Sequence, residues 1–497
     1  MDRWTKGREA FSTSVGIGHY SWWSRPARVL VIRACPFIPA RIVFSIPNKA
    51  FRLWGMLCLS VVLSIPGSLA YGQSATKAYE RTGTDFLTGN HQVGFHGYMR
   101  AGVGWSRGGH AQAAFGAPGA QSKYRLGNEP DMNAILWLDY RYILRHAQEN
   151  PSFLQTAFTL DDYAVKGQIE KEFRMDNVAE LYVKYANVRG TGIHIWVGRR
   201  FYQRRLMYLN DHFWLNAGQN AHSGVGLEEI TLGPGRLHIA LFHLQDKLMP
   251  SLKEAGELGR TDARALDIRY TNIALAKDWT VALWGNMTHR NGSDELGLPV
   301  RYGFGVGGWI QRDLSDGSRN ISGVMFRQGA AMVQGTFNPR PVQEGQGYDL
   351  RNSYSLEFNN DLVYECVPLN FALQWGSVAR LENFGRKGVS GRSVFWGSTG
   401  VHVRYFFSDY VNAIGEVGYD YVNDRQQNRS GGVQKSTIGL QLSVDRRFFA
   451  RPILYLFATH AIWSNSFKGL VGNSPDDAPY GAETSGWTFG AHMEHWW

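Results

Sequence analysis

A period-two alternation of apolar and polar residues runs from about residue 90 to the end of the chain. In segment 437–444, small or polar residues occupy one set of alternate positions, and the other set holds Ile438, Leu440, Leu442 and Val444. The pattern recurs at 136–142, 180–185, 236–244, 266–276, 279–287, 354–364, 401–407 and 413–421. Because successive side chains of a β-strand point to opposite faces, this alternation predicts many two-faced strands and no long amphipathic helix.

The composition and the turn-forming residues between segments support one large β-rich domain. Clusters of Gly, Asn, Asp and Ser separate the alternating segments, for example at 290–294, 315–318 and 428–432. An aromatic content of 13% excludes a disordered chain, and 3 Cys exclude a disulfide scaffold. No uncharged apolar run reaches the roughly 18 residues that a membrane-spanning helix needs.

Residues 1–72 have the features of a leader. Lys49 and Arg52 form a positive n-region, residues 53–65 form a short apolar h-region, and small residues predict cleavage near Ala70 or Gly72. We therefore expect an N-terminal extension with a secretory signal peptide over residues 1–72 and a single domain over residues 73–497. Residues 1–48 are either an unusual extension or the result of a start codon placed too early.

The leader also explains most of the positive charge. It holds nine basic and two acidic residues, so the formal net charge falls from +10 for the whole chain to +3 for the remainder. A nucleic-acid-binding protein needs its basic surface on the folded domain. The charge therefore gives no support for a nucleic-acid partner.

Two all-β architectures fit the alternation. In a soluble sandwich the apolar face points into a core, whereas in an outer-membrane barrel it points to lipid and the polar face lines a lumen. Tyr and Trp cluster at strand ends, and the chain closes with the alternating segment 487–497, which ends in an aromatic residue. At roughly 22–25 residues per strand, the chain after residue 72 would supply about 17–19 strands. These features favour the barrel.

Several segments carry a family resemblance. Segments 95–105 (FHGYMRAGVGW) and 119–129 (GAQSKYRLGNE) resemble the start of the maltoporins. Segment 198–204 (GRRFYQR) is similar to the entry of their constriction loop, and segments 451–452, 457–459 and 487–497 also match. The resemblance implies an 18-stranded antiparallel transmembrane β-barrel with an inward-folded constriction loop in the outer membrane of a Gram-negative bacterium. It also implies a homotrimer that contacts outer-membrane lipid and passes small saccharides, without enzymatic activity or a cofactor.

A sugar presents apolar CH faces and a rim of hydroxyl groups, so a selective pore needs flat aromatic surfaces and hydrogen-bonding charged groups. The resemblance implies an aromatic slide and an ionic track for these tasks. The matched aromatic residues are Tyr98, Phe213, Phe449 and Trp496, and the matched charged residues are Arg100, Arg125, Arg174, Arg204 and Asp211. The alternation points Tyr98, Arg100 and Trp496 into the lumen, whereas the facing of Phe449 is left open by the neighbouring arginines.

The sequence also departs from the family pattern. Slide positions hold Asn133 and, by a loose alignment, Asn320, while Ile135 and Asn216 replace acidic residues. The loop Trp has only Tyr163 nearby, and the usual loop disulfide has Ala114 and Pro130 at its places, so mature Cys366 stands alone. Trp137 shares the inward parity of Asn133 and is a candidate displaced platform. The incomplete slide predicts a sugar that is shorter than, or shaped differently from, a long maltodextrin.

Alternatives stay open for the function and for individual residues. A general or non-sugar solute porin fits the same scaffold, and an outer-membrane enzyme would need a Ser/His pair that we cannot place. A single barrel Tyr or Trp is commonly an interfacial girdle residue, and lumen arginines commonly only pair with lumen acids. The segment 492–495 is no zinc motif, because strand alternation sends His492 and His495 to opposite faces.

Overall fold

A computed structural model describes residues 84–144, 151–164, 178–217, 221–246, 261–292, 299–314, 317–333, 350–385, 393–473 and 477–497. The strands are β1 (Thr84–Thr88), β2 (His91–Trp105), β3 (Met132–Ile143), β4 (Phe153–Ala164), β5 (Val178–Ala186), β6 (His194–Arg199), β7 (Arg205–Met207), β8 (His212–Leu215), β9 (Ala221–Leu232), β10 (Gly235–Asp246), β11 (Thr261–Ala276), β12 (Trp279–Arg290), β13 (Arg301–Asp313), β14 (Arg319–Gly329), β15 (Tyr354–Cys366), β16 (Phe371–Asn383), β17 (Ser393–Phe406), β18 (Val411–Asp424), β19 (Arg429–Leu442), β20 (Ile453–Trp463) and β21 (Ser485–Trp496). The helical elements are short 3₁₀ turns at Arg107–Gly109, Val188–Gly190, Tyr208–Asn210, Ala330–Val333, Leu350–Asn352, Val367–Leu369 and Asn465–Phe467. Within these described ranges, no helix is long and apolar enough to cross a membrane.

Eighteen strands close an antiparallel barrel. Each strand from β2 to β21 pairs with the next, except that β6 pairs directly with β9 because β7 and β8 form a separate two-stranded hairpin. The ring closes where β21 pairs with β2, with Tyr98 opposite Trp496, and β1 pairs with the beginning of β2. The sequence-based prediction of an 18-stranded barrel is therefore confirmed.

The alternation places apolar side chains on the outer face. On β19 and β21, the outward Ile438 and Phe489 expose 70% and 52% of their surface, whereas the inward neighbours Thr437 and Thr488 expose 2% and 0%. A barrel in lipid leaves no backbone edge unpaired, and its outer face meets hydrocarbon. The predicted directions of the alternating segments are confirmed.

The two rims of the barrel differ in the length of their connections. One rim carries 106–131, 200–220, 330–353 and 464–484, and the opposite rim carries short connections such as 233–234, 277–278, 367–370 and 407–410. Outer-membrane barrels have short periplasmic turns and longer extracellular loops. The last strand ends at the short-connection rim.

One long connection, segment 106–131, folds into the lumen and covers part of its wall. The buried Tyr124 donates to or accepts from Ser398 Oγ at 2.8 Å, and the backbone N–H of Leu126 donates to Glu416 at 3.2 Å. Gly400 and Gly418 leave room for the phenol ring, since a Cβ at either position would lie 2.2 Å from a Tyr124 carbon. The segment is thus fixed against β17 and β18.

The β7–β8 hairpin is the second inward-folded element, and its position matches the predicted constriction loop. Its apolar residues Met207, Leu209 and Leu215 are buried. The Trp214 carbonyl accepts from Arg327 at 2.7 Å, and His212 lies 2.7 Å from Glu357. These contacts tie the hairpin to β14 and β15 across the lumen.

Some predictions fall outside the described residues. These are the leader, its cleavage site and Arg174. Cys366 is described, buried and unpaired.

Candidate solute-binding site in the lumen

A cavity of about 790 Å³ lies between the β7–β8 hairpin and the barrel wall. Aromatic and charged side chains both border it. Its charged lining comprises Arg141, Lys184, Arg200, Arg204, Arg205, Arg319, Glu180, Glu228, Glu229 and Asp361. Such a lining offers flat apolar faces together with donors and acceptors.

Four rings form a row along the cavity, which we call the aromatic row: Tyr98, Trp496, Tyr208 and Phe449. The Tyr98 and Trp496 rings stack with centroids 6.4 Å apart and planes at 19°. Tyr208 meets Trp496 edge to face at 6.2 Å, and Phe449 meets Tyr208 at 5.5 Å and 85°. The rings come from β2, the hairpin turn, the connection 443–452 and β21, so the row exists only in the closed barrel.

A buried ionic network supports the aromatic row from behind. Glu494 accepts from the Tyr98 hydroxyl at 2.9 Å, from Arg125 at 2.8 Å and from Arg451 Nε at 2.9 Å. Tyr208 also donates its hydroxyl to Glu494. Both hydroxyl groups are thereby directed into the buried network, and the two rings are held at fixed angles. Tyr98 is itself buried, with 6% of its surface exposed.

Two guanidinium groups of this network also pack on the row. Arg125 lies 4.2 Å from the Tyr208 centroid, and Arg451 lies 4.0 Å from the Trp496 centroid. Burial lowers the pKa of Arg125, but Glu129 and the other network groups raise it well above its usual value overall, so this guanidinium stays charged. Burial raises the pKa of the Tyr208 hydroxyl, which therefore stays a donor.

The constriction hairpin brings further predicted residues to the cavity. Arg204 stacks over Phe201 at 3.7 Å and lies 5.1 Å from the Phe213 centroid. Phe213 is buried in β8. Asp211 ends the hairpin turn with a left-handed backbone (φ 56°) and is not among the residues that line the cavity.

Apart from Asp211, the predicted site residues that the structure describes divide into two groups. Tyr98, Arg204, Phe213, Phe449 and Trp496 line one cavity, as does the candidate platform Trp137, which donates to Glu180 at 3.1 Å. Arg100 and Arg125 lie in the network behind the row; Arg100 donates to Glu129 at 2.7 Å and to Asp131 at 2.9 Å. Their positions match the alternative of lumen arginines that pair with acids, and contact with a solute stays a prediction for them.

Residues that replace family positions have distinct surroundings. Asn133 donates to Asp161 at 3.3 Å. Asn320 has the parity of the exposed Val324 and opposite parity to the inward Ile321, so it lies on the outer face. The loose alignment of Asn320 with a slide position is thus wrong, because a one-residue offset on a strand reverses the face.

Sequence reasoning missed Tyr208, Arg451 and Glu494 as members of the site. One signal was available for Glu494, which lies two residues before Trp496 and therefore shares its face. No such signal existed for Tyr208, because its place depends on how the hairpin enters the lumen. Among the residues that the structure describes, no cluster of His, Cys, Asp or Glu is arranged to hold a metal ion.

Comparisons with known proteins give one family match. Residues 93–497 match the family model described as LamB porin. Solved structures similar to this chain include the outer membrane channel DcaP of Acinetobacter baumannii, with a TM-score of 0.43, 11% identity and coverage of 83% of this chain and 99% of that one. The high-pH structure of Pseudomonas putida OprB has a TM-score of 0.40, 7% identity and coverage of 82% and 94%. Salmonella typhi OmpF in complex with daunomycin has a TM-score of 0.40, 10% identity and coverage of 83% and 100%.

Proposed function

Because this chain belongs to the LamB porin family and forms an outer-membrane channel, we propose that its solutes are short saccharides. They would cross the lumen by diffusion, without chemical change. The aromatic row is the observation that carries this proposal.

The row suits the apolar face of a sugar ring. Tyr98 and Tyr208 are fixed by Glu494, and Tyr208 and Trp496 by cation–π contacts, so little side-chain entropy is lost when a sugar ring packs on them. Arg204 and Lys184 border the same cavity and can donate hydrogen bonds to the hydroxyl oxygens of a sugar. Asn133 and Ile135 place no ring at these two β3 positions, although Trp137 on the same strand lines the cavity. This interruption favours a short saccharide over a long maltodextrin.

Block of ion current by sugars tests this proposal. We would titrate glucose, sucrose, maltose and maltotriose against the purified protein in a planar bilayer. Saturable block by at least one sugar is expected, and Trp496→Ala should weaken it about two- to ten-fold, the range expected for one aromatic contact. Trp487→Ala is the matched control, because Trp487 lies on the same strand but faces outward with 51% of its surface exposed.

A general solute porin is the second candidate. The interruption of the slide at Asn133 and Ile135 favours it, since a pore with fewer platforms discriminates less among solutes. A current that no sugar reduces would contradict the saccharide proposal and support this candidate. The barrel would stand in either case.

We further propose that copies of the chain assemble, in line with the trimer that the resemblance implies. Ser322, Asn360, Ser377 and Thr399 are directly opposite one another on β14–β17 and form a polar row across the outer face. Asn360 accepts from Asn320 at 3.2 Å and from Ser322 at 2.7 Å, while its own Nδ2 has no hydrogen-bond partner in the described part of the chain. Asn360 is itself buried, with 1% of its surface exposed, so the half-buried Ser322, Ser377 and Thr399 present the row to the outside. Polar side chains facing hydrocarbon cost free energy, so a neighbouring subunit is the expected cover of this row.

The mass of the detergent-solubilised protein tests the assembly. Wild-type protein should have the mass of a trimer, and Ser377→Leu should shift it towards monomer by replacing a half-buried polar side chain of the row with an apolar one. Thr156→Val is the control, because Thr156 also faces outward but on β4, on another wall. A monomeric wild type, or a Ser377→Leu trimer of unchanged stability, would contradict the assignment of this face.

A further inference from the structure

The arginines that line the cavity differ in their carboxylate partners. Arg200 donates to Glu228 at 2.8 Å, and Arg319 approaches Asp361 at 4.0 Å. For Arg205, in contrast, no carboxylate lies within ion-pair distance among the described residues. A guanidinium carries five N–H donors and no acceptor, so a buried one favours binding of an anion.

The surroundings of Arg205 hold it in place without neutralising it. It lies on β7, and its guanidinium packs 4.7 Å from the centroid of Trp309, which in turn meets Trp214 edge to face at 5.7 Å. Burial, followed by repulsion from Arg269 and Arg319, lowers the pKa of Arg205 to about 9. The group is therefore still charged at neutral pH, and Arg269 and Arg319 lie near enough to repel it.

Arg319 connects this region to the aromatic row. It enters the cavity from the start of β14, and its guanidinium lies 5.8 Å from the centroid of Phe449, at the end of the row. Its Nε has no hydrogen-bond partner in the part of the chain that the structure describes. A molecule with a ring on Phe449 therefore lies beside the Arg319 guanidinium, and Arg205 borders the same cavity.

We propose that Arg205 and Arg319 form an anion subsite, and that the channel prefers saccharides bearing a carboxylate over neutral ones. The inference rests on the proposed function and narrows its substrate class. The sugar ring packs on Phe449, while the carboxylate accepts charge-assisted hydrogen bonds from the two guanidinium groups. Neither arginine was among the matched family positions.

A size-matched pair of sugars tests the subsite. Trigalacturonic acid and its methyl ester differ in charge but hardly in shape, and each would be titrated as a blocker of ion current. The acid should block wild-type channels at a concentration about ten-fold lower than the ester, equivalent to about 1.4 kcal/mol. Arg205→Gln should abolish the difference, whereas Arg205→Lys should keep part of it.

The control is Arg446→Gln, which removes an equal charge from an exposed arginine paired with Asp409 in a rim connection. This variant should keep the full preference for the acid. If Arg205→Gln does not fold, the salt dependence of block in the wild-type protein serves as the test. The preference should shrink between 0.1 M and 1 M KCl, because salt screens the attraction.

The outcomes separate the two proposals. Equal block by acid and ester would overturn the anion subsite and leave the saccharide channel standing. A preference that persists in Arg205→Gln would overturn the assignment to Arg205. Failure of both compounds and of every neutral sugar to block would overturn the proposed function itself.

Discussion

The wall built from β17–β20 and the wall built from β3–β6 have the same alternation of inward and outward residues, yet the first is covered by a connection and the second lines the cavity. On the first wall, segment 106–131 covers the inward face, where Thr437 donates to the Leu126 carbonyl at 3.0 Å and Thr459 to that of Gly127 at 3.1 Å. On the second wall, Arg141, Lys184 and Glu180 face the cavity.

The difference shows that the alternation predicts which face a side chain lies on, but not its role there. An inward residue becomes packing or pore lining according to which connection folds over it. The covered wall has small residues where the segment approaches, such as Gly400 and Gly418, and the open wall has long charged side chains. Substitutions on the covered wall should therefore change stability, and substitutions on the open wall should change conduction.

The largest loss of stability is expected at Glu494, the hub of the buried ionic network. Glu494→Gln leaves Arg125 and Arg451 without their shared carboxylate, and breaking a buried ion pair costs about 3–5 kcal/mol. Urea unfolding of the purified protein should show this loss, together with weaker sugar block. The control is Glu483→Gln, whose exposed pair with Arg107 should contribute less than about 1 kcal/mol. Equal stability of the two variants would contradict a structural role for the hub.

A smaller effect is expected from overpacking the covered wall. Gly418→Ala places a Cβ 2.2 Å from Tyr124, so segment 106–131 must move, at a cost of about 1–3 kcal/mol. Displacement of the segment should also raise the single-channel conductance. Gly415→Ala on the same strand is the control, because its Cβ would meet only a carbonyl oxygen at 3.9 Å. Unchanged conductance in Gly418→Ala would show that the segment does not limit the pore.

The sequence predicted what depends on local periodicity and missed what depends on where a connection folds. The facing of Tyr98 and Trp496 follows from parity, and the structure confirms it. Phe449 was reached only by family resemblance, because it lies in the connection 443–452 rather than on a strand. Tyr208 and the pairing of Arg100 with Glu129 and Asp131 were inaccessible, since each depends on a long connection entering the lumen.

The smallest effect on stability is expected on the open wall. A lysine there and a lysine on the covered wall give the most direct comparison of the two walls. Lys184 is half-buried at the cavity, with its ammonium 6.0 Å from the Phe153 centroid. Lys184→Gln should change the unfolding free energy by no more than about 0.5 kcal/mol, because water in the cavity can replace its contacts. It should nevertheless lower the anion-to-cation permeability ratio, measured as the reversal potential in a KCl gradient, because one positive charge leaves the pore lining. Lys435→Gln is the counterpart on the covered wall: its ammonium is buried and donates to Glu416 at 2.6 Å, so it should lose stability without a comparable change in selectivity. If the two lysines behaved alike, the distinction between an open and a covered wall would fail.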